Sequence, residues 1–430
     1  MPEESGSEPN LPRLRPVEIL PVTHQGRRLI LLRDPTGIAA DPLLLSPASV
    51  TLLSFFDGRH TVRDIQLAAA RGSGQIIPAG QIHDFAAKLE ANHFLDSPGY
   101  RRHREQLRRE YAAADARQAQ FAGHAYPADP RALLDQISSY YRGPGGRGLP
   151  VAAVRRPPLA IAAPHIDPAR GGPVYAAAYA GLWGARVEGV VVLGVSHAGG
   201  RHPFIVTAKD YTTPLGRLRV SKDRLAALAA GLDWDPDDQE ELHRWEHSIE
   251  FQLIFLQHAL GEGRLDGAVD PGRDRGKAGP ELLPILCAFS WEDLALDAPG
   301  GRRARIDGFL DHLRGALDDS GRAWLIVAGV DLAHVGPRFG DAEPLSAQMQ
   351  IEVHRRDREM LETLVSGDTA GFIEDLARDR NARRICGLGA LYALAKLMEG
   401  RRGEIVGYDQ SADAASGSLV SFAALVYSAG

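Results

Sequence analysis

Histidines that directly follow apolar, β-branched runs are where this sequence could do chemistry. His165 follows Leu-Ala-Ile-Ala-Ala-Pro, with Asp167 just beyond it, and His197 follows Gly-Val-Val-Val-Leu-Gly-Val-Ser. Asp331 and His334 follow Ala-Trp-Leu-Ile-Val-Ala-Gly-Val. In open α/β sheets ligands bind beyond the carboxyl ends of the strands, so strand ends that each deliver an imidazole point to one shared pocket. A lone histidine is more often a hydrogen-bonded structural residue; with 15 histidines in the chain, the repetition at strand ends outweighs that reading. Imidazole suits iron, zinc and copper. His165 and His197, the latter beside Ser196, are the first candidates for ligands. Asp331 and His334 would share a face if they lay on a turn of helix. That suits an acid/base pair in the pocket, the alternative being a capping aspartate and a surface histidine.

Two further segments carry reactive types. Cys386 lies in Arg383-Arg384-Ile385-Cys386-Gly387, ahead of the helical pattern LGALYALAKLM. A thiol at a helix N-terminus beside two arginines is expected to favour the thiolate, which makes it a ligand or a nucleophile and makes Arg384 a pocket residue. Cys287 sits inside an apolar strand and reads as a small buried hydrophobe. Arg244–Glu250 opens the amphipathic helix FQLIFLQHAL. His247 and Glu250, one turn apart, could line the pocket rim; taken alone, the segment favours the structural alternative, in which Glu250 stabilises the helix N-terminus by its charge.

The elements that must position these residues form an alternating series. Apolar runs at Leu159–Ala163, Gly189–Gly194, Leu283–Phe289 and Trp324–Gly329 are separated by helical patterns at Pro173–Trp183, Lys222–Leu232, His247–Leu260 and Ile306–Leu317. Continuous apolar strands between amphipathic helices predict an α/β domain over 151–430, a mainly parallel sheet flanked by helices. Two more strands, Ile405–Tyr408 and Leu419–Val426, close the chain. Before it, residues 15–100 read as a small winged-helix-like α+β domain: a hairpin turning at Gln25-Gly26, a helix capped by Ser46, a second capped by Thr61, and a third with Ile82, Phe85, Leu89 and Phe94 on one face. Residues 1–14 are polar and predict a disordered tail; 101–150, ending in GPGGRGLP, predict a helical and Gly/Pro-rich linker.

A chain of 430 residues suggests two domains, perhaps three. Composition narrows the classes. Hydrophobic residues make up 44% and charged residues 24%, with a formal net charge of -6, which describes a soluble globular protein without a nucleic-acid footprint. The Arg101–Arg104 cluster reads as a solvated helix face. Two cysteines exclude a disulfide framework. No run approaches a membrane span and MPEESGSEPN has no signal-peptide pattern, so the expected location is cytoplasmic.

In order along the chain, six segments resemble the Memo family, which includes the AmmeMemoRadiSam system protein B and is similar in fold to class III extradiol dioxygenases. They are Pro164-His165 with Gly171 and Tyr179; Leu193-Gly194-Val195-Ser196-His197; Glu246-His247-Ser248-Ile249-Glu250; Asp331-Leu332-Ala333-His334; Arg384-Ile385-Cys386-Gly387; and Tyr408-Asp409-Gln410-Ser411 with Ser418–Ala424. The sequence departs from the family pattern at Ile166-Asp167-Pro168, at Val195 and at Gly329-Val330. The resemblance implies metal ligation by His165, His197 and Cys386, with iron or copper as the metal and His334 as acid/base. Leu53–Ile65, with Asp34-Pro35 and Asn92-His93-Phe94-Leu95, resembles PqqD-like domains. That implies a module which binds a leader peptide by strand addition.

These observations set the functional expectation. It is a mononuclear non-haem Fe(II) redox enzyme acting on a small molecule or a peptide presented by the N-terminal domain, with partners from a radical-enzyme system. Copper or zinc could replace iron. The alternatives are a non-catalytic metal- or peptide-binding scaffold, which the fold alone would equally allow, and a zinc-dependent hydrolase, since a His/His/Cys set also suits Zn²⁺ with an open water position.

Overall fold

The computed structural model describes residues 9–39, 41–73, 76–146, 148–150, 154–262, 279–295 and 301–428. Residues 1–8 of the expected tail and 151–153 at the expected domain boundary lie outside the described residues. The chain divides into two compact units, Met1–Ala113 and Ala114–Gly430.

In the first unit, Glu18–His24 and Arg27–Arg33 pair antiparallel, and Leu43–Leu45 adds a third strand. The hairpin turns where Gln25 and Gly26 both take positive φ, 49° and 74°, as a two-residue turn requires. Helices Ser49–Leu53, Val62–Ser73, Ala79–Ala91 and Pro98–Ala113 follow. Thr61 and Asp64 form a reciprocal cap: the Thr61 hydroxyl accepts from the Asp64 N–H at 3.2 Å, and the Asp64 carboxylate accepts from the Thr61 N–H at 2.8 Å. Leu32, Ile65, Leu89 and Phe94 fill the core. Two expectations change here. Ser46 does not cap the first helix, whose N-cap is Ala48. The described end of the tail is ordered: Leu11 is buried and its N–H donates to His60, while the Leu14 N–H donates to Phe56. A polar composition concealed two leucines that pack.

The second unit is built on an eight-stranded sheet in the order Asp331–Val335, Ser418–Tyr427, Ala160–Ala163, Trp324–Gly329, Gly189–Val195, Glu281–Cys287, Phe204–Val206, with Glu404–Asp413 paired to Ser418–Tyr427. The four central strands run parallel, and their side chains are buried on both faces. The flanking strands are antiparallel, so the sheet is mixed rather than mainly parallel. At the chain end Glu404–Asp413 returns through four residues into Ser418–Tyr427, and so short a connection can join only antiparallel neighbours. Alternate residues feed two cores. Val191, Leu193 and Ile285 pack with helices Arg302–Asp318 and Leu388–Leu397. Val190, Val192 and Val327 pack with helices Pro168–Tyr179 and His247–Gln257.

The expected linker is largely structure. Pro130–Arg142 is a helix capped by Asp129, and its Leu133, Leu134 and Ile137 are fully buried in the second of those cores. Ala116–Arg117 pairs with Asp210–Thr213. Leu133, Leu134, Ile137 and Tyr141 stand at helical spacing, a signal hidden by the charged text before it and the Gly/Pro run after it. Among the described residues, no helix is long and apolar enough to cross a membrane.

Candidate metal centre

Three adjacent central strands, Ala160–Ala163, Trp324–Gly329 and Gly189–Val195, end side by side. They are followed by His165, Asp331 and His197 respectively. The start of helix His247–Gln257 rests directly on these ends. Gly329 makes this possible, since a Cβ there would lie 2.7 Å from the Ser248 carbonyl. The Ser248 hydroxyl accepts from the Val195 N–H at 2.9 Å and donates to the Val195 carbonyl at 3.1 Å, fixing the helix to the strand before His197.

His165, His197 and Cys386 come together: one ligand atom from each lies within 4.8 Å of the others. The Nδ1 of His165 is 3.0 Å from the Gly329 carbonyl. A carbonyl only accepts, so Nδ1 carries the proton and Nε2 is left facing Cys386 Sγ at 3.2 Å. His197 is oriented in the same manner by Glu246, whose carboxylate oxygens lie 3.0 and 3.1 Å from its Nδ1. Outer hydrogen bonds of this kind fix the tautomer of metal-ligating histidines. His165 is 2% exposed, whereas the His197 side chain is 30% exposed, so the cluster has a closed side and an open one.

Cys386 is carried to the cluster by a close backbone approach. The Gly387 N–H donates to the Asp331 carbonyl at 3.0 Å, and a Cβ on Gly387 would meet that oxygen at 2.7 Å. Burial opposes the charge on Cys386, but the neighbouring His165 and His334 hold its thiol well below the usual range. The two arginines expected to do this do not. Arg383 is ion-paired with Asp357, Asp375 and Asp379, and Arg384 with Asp341. Burial likewise opposes protonation of His165, yet Asp331 and the thiolate push its pKa up to about 9. Bringing a metal to these atoms therefore releases protons.

Asp331 and His334 lie on a strand, not on a turn of helix. A register shift between them against Ser418–Tyr427 re-aims the intervening chain, so that both reach Cys386 despite their odd spacing. The His334 Nδ1 donates to the Leu332 carbonyl at 3.0 Å, so it is the backbone that orients this ring. Asp331 Oδ1 accepts from the N–H groups of His165 at 2.9 Å and Ile166 at 3.1 Å, fixing the turn that carries His165. Burial raises the Asp331 pKa, with His165 acting against it.

The remaining candidates separate. His247 belongs to the cluster: its ring stacks on His197 at 4.8 Å and meets His165 edge-on at 5.5 Å. Glu250 does not reach the rim; it is fully buried and ion-paired with Arg117. Asp167 is exposed at the N-cap of the Pro168–Tyr179 helix, without a side-chain capping bond. Ser196 closes the turn after its strand, donating to the Gly199 carbonyl at 2.7 Å. Arg384 donates to the His334 carbonyl at 3.0 Å, bracing the strand. Sequence reasoning missed Glu246 as the residue that orients His197. Its position immediately before the helical run, where negative charge is favoured by the helix N-terminus, was the available signal.

The profile of the family described as Memo-like protein matches residues 117–270 and 305–426, which include all of these clustered residues. A MEMO1 family protein of Aquifex aeolicus is 26% identical over 407 residues, 92% of this chain and 95% of that protein. One from Thermus thermophilus is 27% identical over 86% of this chain and 99% of its own length. One from Methanopyrus kandleri is 29% identical over 72% of this chain and 98% of its own length.

Proposed function

Because this chain belongs to the Memo-like protein family, we propose that its second unit holds a mononuclear metal ion on His165, His197 and Cys386 and uses it in redox catalysis, with Fe(II) as the metal. The observation that carries this reading is the pair of outward Nδ1 contacts, to Gly329 and Glu246. They commit Nδ1 of both rings and leave each Nε2 as the atom that would take the metal on losing its proton, that of His165 facing Cys386 Sγ at 3.2 Å. A soft thiolate with two imidazoles suits iron, copper or zinc. When bound, the metal supplies a Lewis acid and, with iron or copper, a one-electron redox partner.

The chain's own groups do the rest. His334, whose Nδ1 is committed to Leu332, exchanges a proton at Nε2. Its pKa is raised: burial opposes the charge, but the Cys386 thiolate, with Asp331 and the Leu332 carbonyl, overcomes it. Asp331 keeps His165 in place. The open side beside His197 and His247 admits the substrate, a small molecule or a peptide. In the first unit, Glu18–His24 is an edge strand of its sheet, a feature that supports peptide capture by strand addition and the PqqD-like resemblance.

Protein purified without oxygen is expected to carry near-stoichiometric iron, and His165→Ala to lose it. Full metal occupancy in that variant would sink the reading. Zinc instead of iron in the wild-type protein would turn the proposal toward metal-assisted hydrolysis.

A further inference from the structure

Behind Cys386 lies a charged cluster that the metal reading leaves unused. Arg383 is 7% exposed, yet its guanidinium meets three carboxylates: Asp357 at 2.8 Å, Asp379 at 3.0 Å and Asp375 at 3.3 Å. Buried ion pairs contribute little net stability, because desolvation offsets the attraction, and their best-attested use is to fix one arrangement over another. What this one fixes can be traced bond by bond. The other oxygen of Asp357 accepts from the Ser421 hydroxyl at 2.5 Å. Ser421 Oγ in turn accepts from the Ala333 N–H at 2.9 Å. The next N–H along, that of His334, donates to the carbonyl of Arg383 itself at 2.7 Å. The path closes into a ring that runs from Ala333 through Ser421, Asp357 and Arg383 back to His334.

That ring ties together two segments that local structure alone would not hold. One is the shifted strand, where regular pairing with Ser418–Tyr427 is interrupted between Asp331 and His334. The other is the turn before Cys386, in which Arg380, Asn381 and Arg384 all take positive φ, from 51° to 57°. Non-glycine residues persist there only when their surroundings over-determine them.

We propose that Asp357 and Arg383, acting through Ser421, are positioning residues of the metal centre: they set the Cys386 turn against the His334 strand and so deliver the thiolate to His165. The proposal rests on the reading that Cys386 is a ligand.

Cobalt(II) bound to the full-length protein provides the test, since a thiolate ligand adds a sulfur-to-cobalt charge-transfer absorption that nitrogen and oxygen ligands do not give. Wild-type protein is expected to show the band. Asp357→Asn and Arg383→Lys should retain wild-type circular dichroism, bind cobalt at least tenfold more weakly, and lose most of the band. Ser421→Ala, the mildest break in the ring, should weaken it. A purely structural role would lower the melting temperature and leave the band of the folded protein intact; that result in either charged-residue variant overturns the proposal. If neither variant folds, Ser421→Ala decides: an undiminished band rejects the ring, a diminished one supports it. Wild-type protein that binds cobalt without any thiolate band would overturn the ligand reading itself, and the positioning role with it.

Discussion

Glu246 and Glu250 stand one turn apart at the start of the same helix, both almost wholly buried, and they serve opposite ends. Glu250 is closed on every side. Its carboxylate accepts from Arg117, from the Tyr126 hydroxyl, and from the N–H groups of Gln120 and Phe121, each at 3.0 Å. Arg117 is itself fully buried and also donates to the carbonyls of His243 at 3.1 Å, Gln118 at 2.9 Å and Glu246 at 2.8 Å. Nothing in that arrangement is left over for a ligand. Glu246 caps the helix at the Ser248 N–H, 3.0 Å away, accepts from the His197 backbone N–H at 3.2 Å, and faces two partly exposed imidazoles. Burial opposes its charge, but His197 holds its pKa well below the ordinary carboxylate range. Burial of a charged group does not by itself separate structure from function. What separates them is whether all of its partners lie inside the fold or some line an open cluster.

The difference predicts two kinds of damage. Glu250→Ala leaves the Arg117 charge without its carboxylate, and is expected to cost about 3–5 kcal/mol of stability in a urea titration. The fraction that remains folded should still bind metal near wild-type strength. A loss below about 1 kcal/mol would show that the pair is not the closed structural unit described. Glu246→Gln should do the reverse. Removing the outer partner of a ligating histidine costs about 10–100-fold in metal affinity, roughly 1.4–2.7 kcal/mol. The unfolding midpoint should move little, because glutamine can still cap the helix. If instead both variants lower stability equally and leave metal affinity alone, the distinction between the two glutamates fails.

How much of this was legible follows from the kind of force involved. The central strands were plain, because strands buried on both faces must be continuously apolar, as Val190–Leu193 is. The histidines at their ends were found for the same reason. The Arg117 clamp was not legible: an arginine in a polar stretch reads as solvated, and its partner lies 133 residues away. The shifted register that brings Asp331 and His334 to one side was equally silent, since Asp-Leu-Ala-His carries no mark of it. The arginines beside Cys386 suggested the right outcome by the wrong agent. Their charges are spent on Asp357, Asp375, Asp379 and Asp341, and only the fold reveals that two histidines take their place. Short-range hydrophobic order can be read from sequence; the pairing of buried charges across long separations cannot.

The smallest expected effect bears most directly on how Glu246 divides its influence. It touches two stacked imidazoles, His197 at 3.0 Å and His247 at 3.4 Å. One carboxylate cannot support two cations whose rings are 4.8 Å apart. His197 makes the closer contact through both oxygens and has its pKa raised: burial opposes the charge, but Glu246 and the Cys386 thiolate together overcome that opposition. For His247 burial dominates over Glu246, and its pKa is pushed down to about 3. In metal-free protein followed by NMR, the His247 ring should show no titration between about pH 5 and 8, the range in which an ordinary histidine changes charge. Because the folded protein then binds fewer protons here than the unfolded chain, this group opposes folding as pH falls below about 6.5 and adds nothing to the pH dependence above it. In Glu246→Gln the His197 signal should shift toward an ordinary histidine while that of His247 stays flat. Should both rings titrate together near pH 6.5, the carboxylate is not choosing between them, and the orientation assigned to His197 loses its cause.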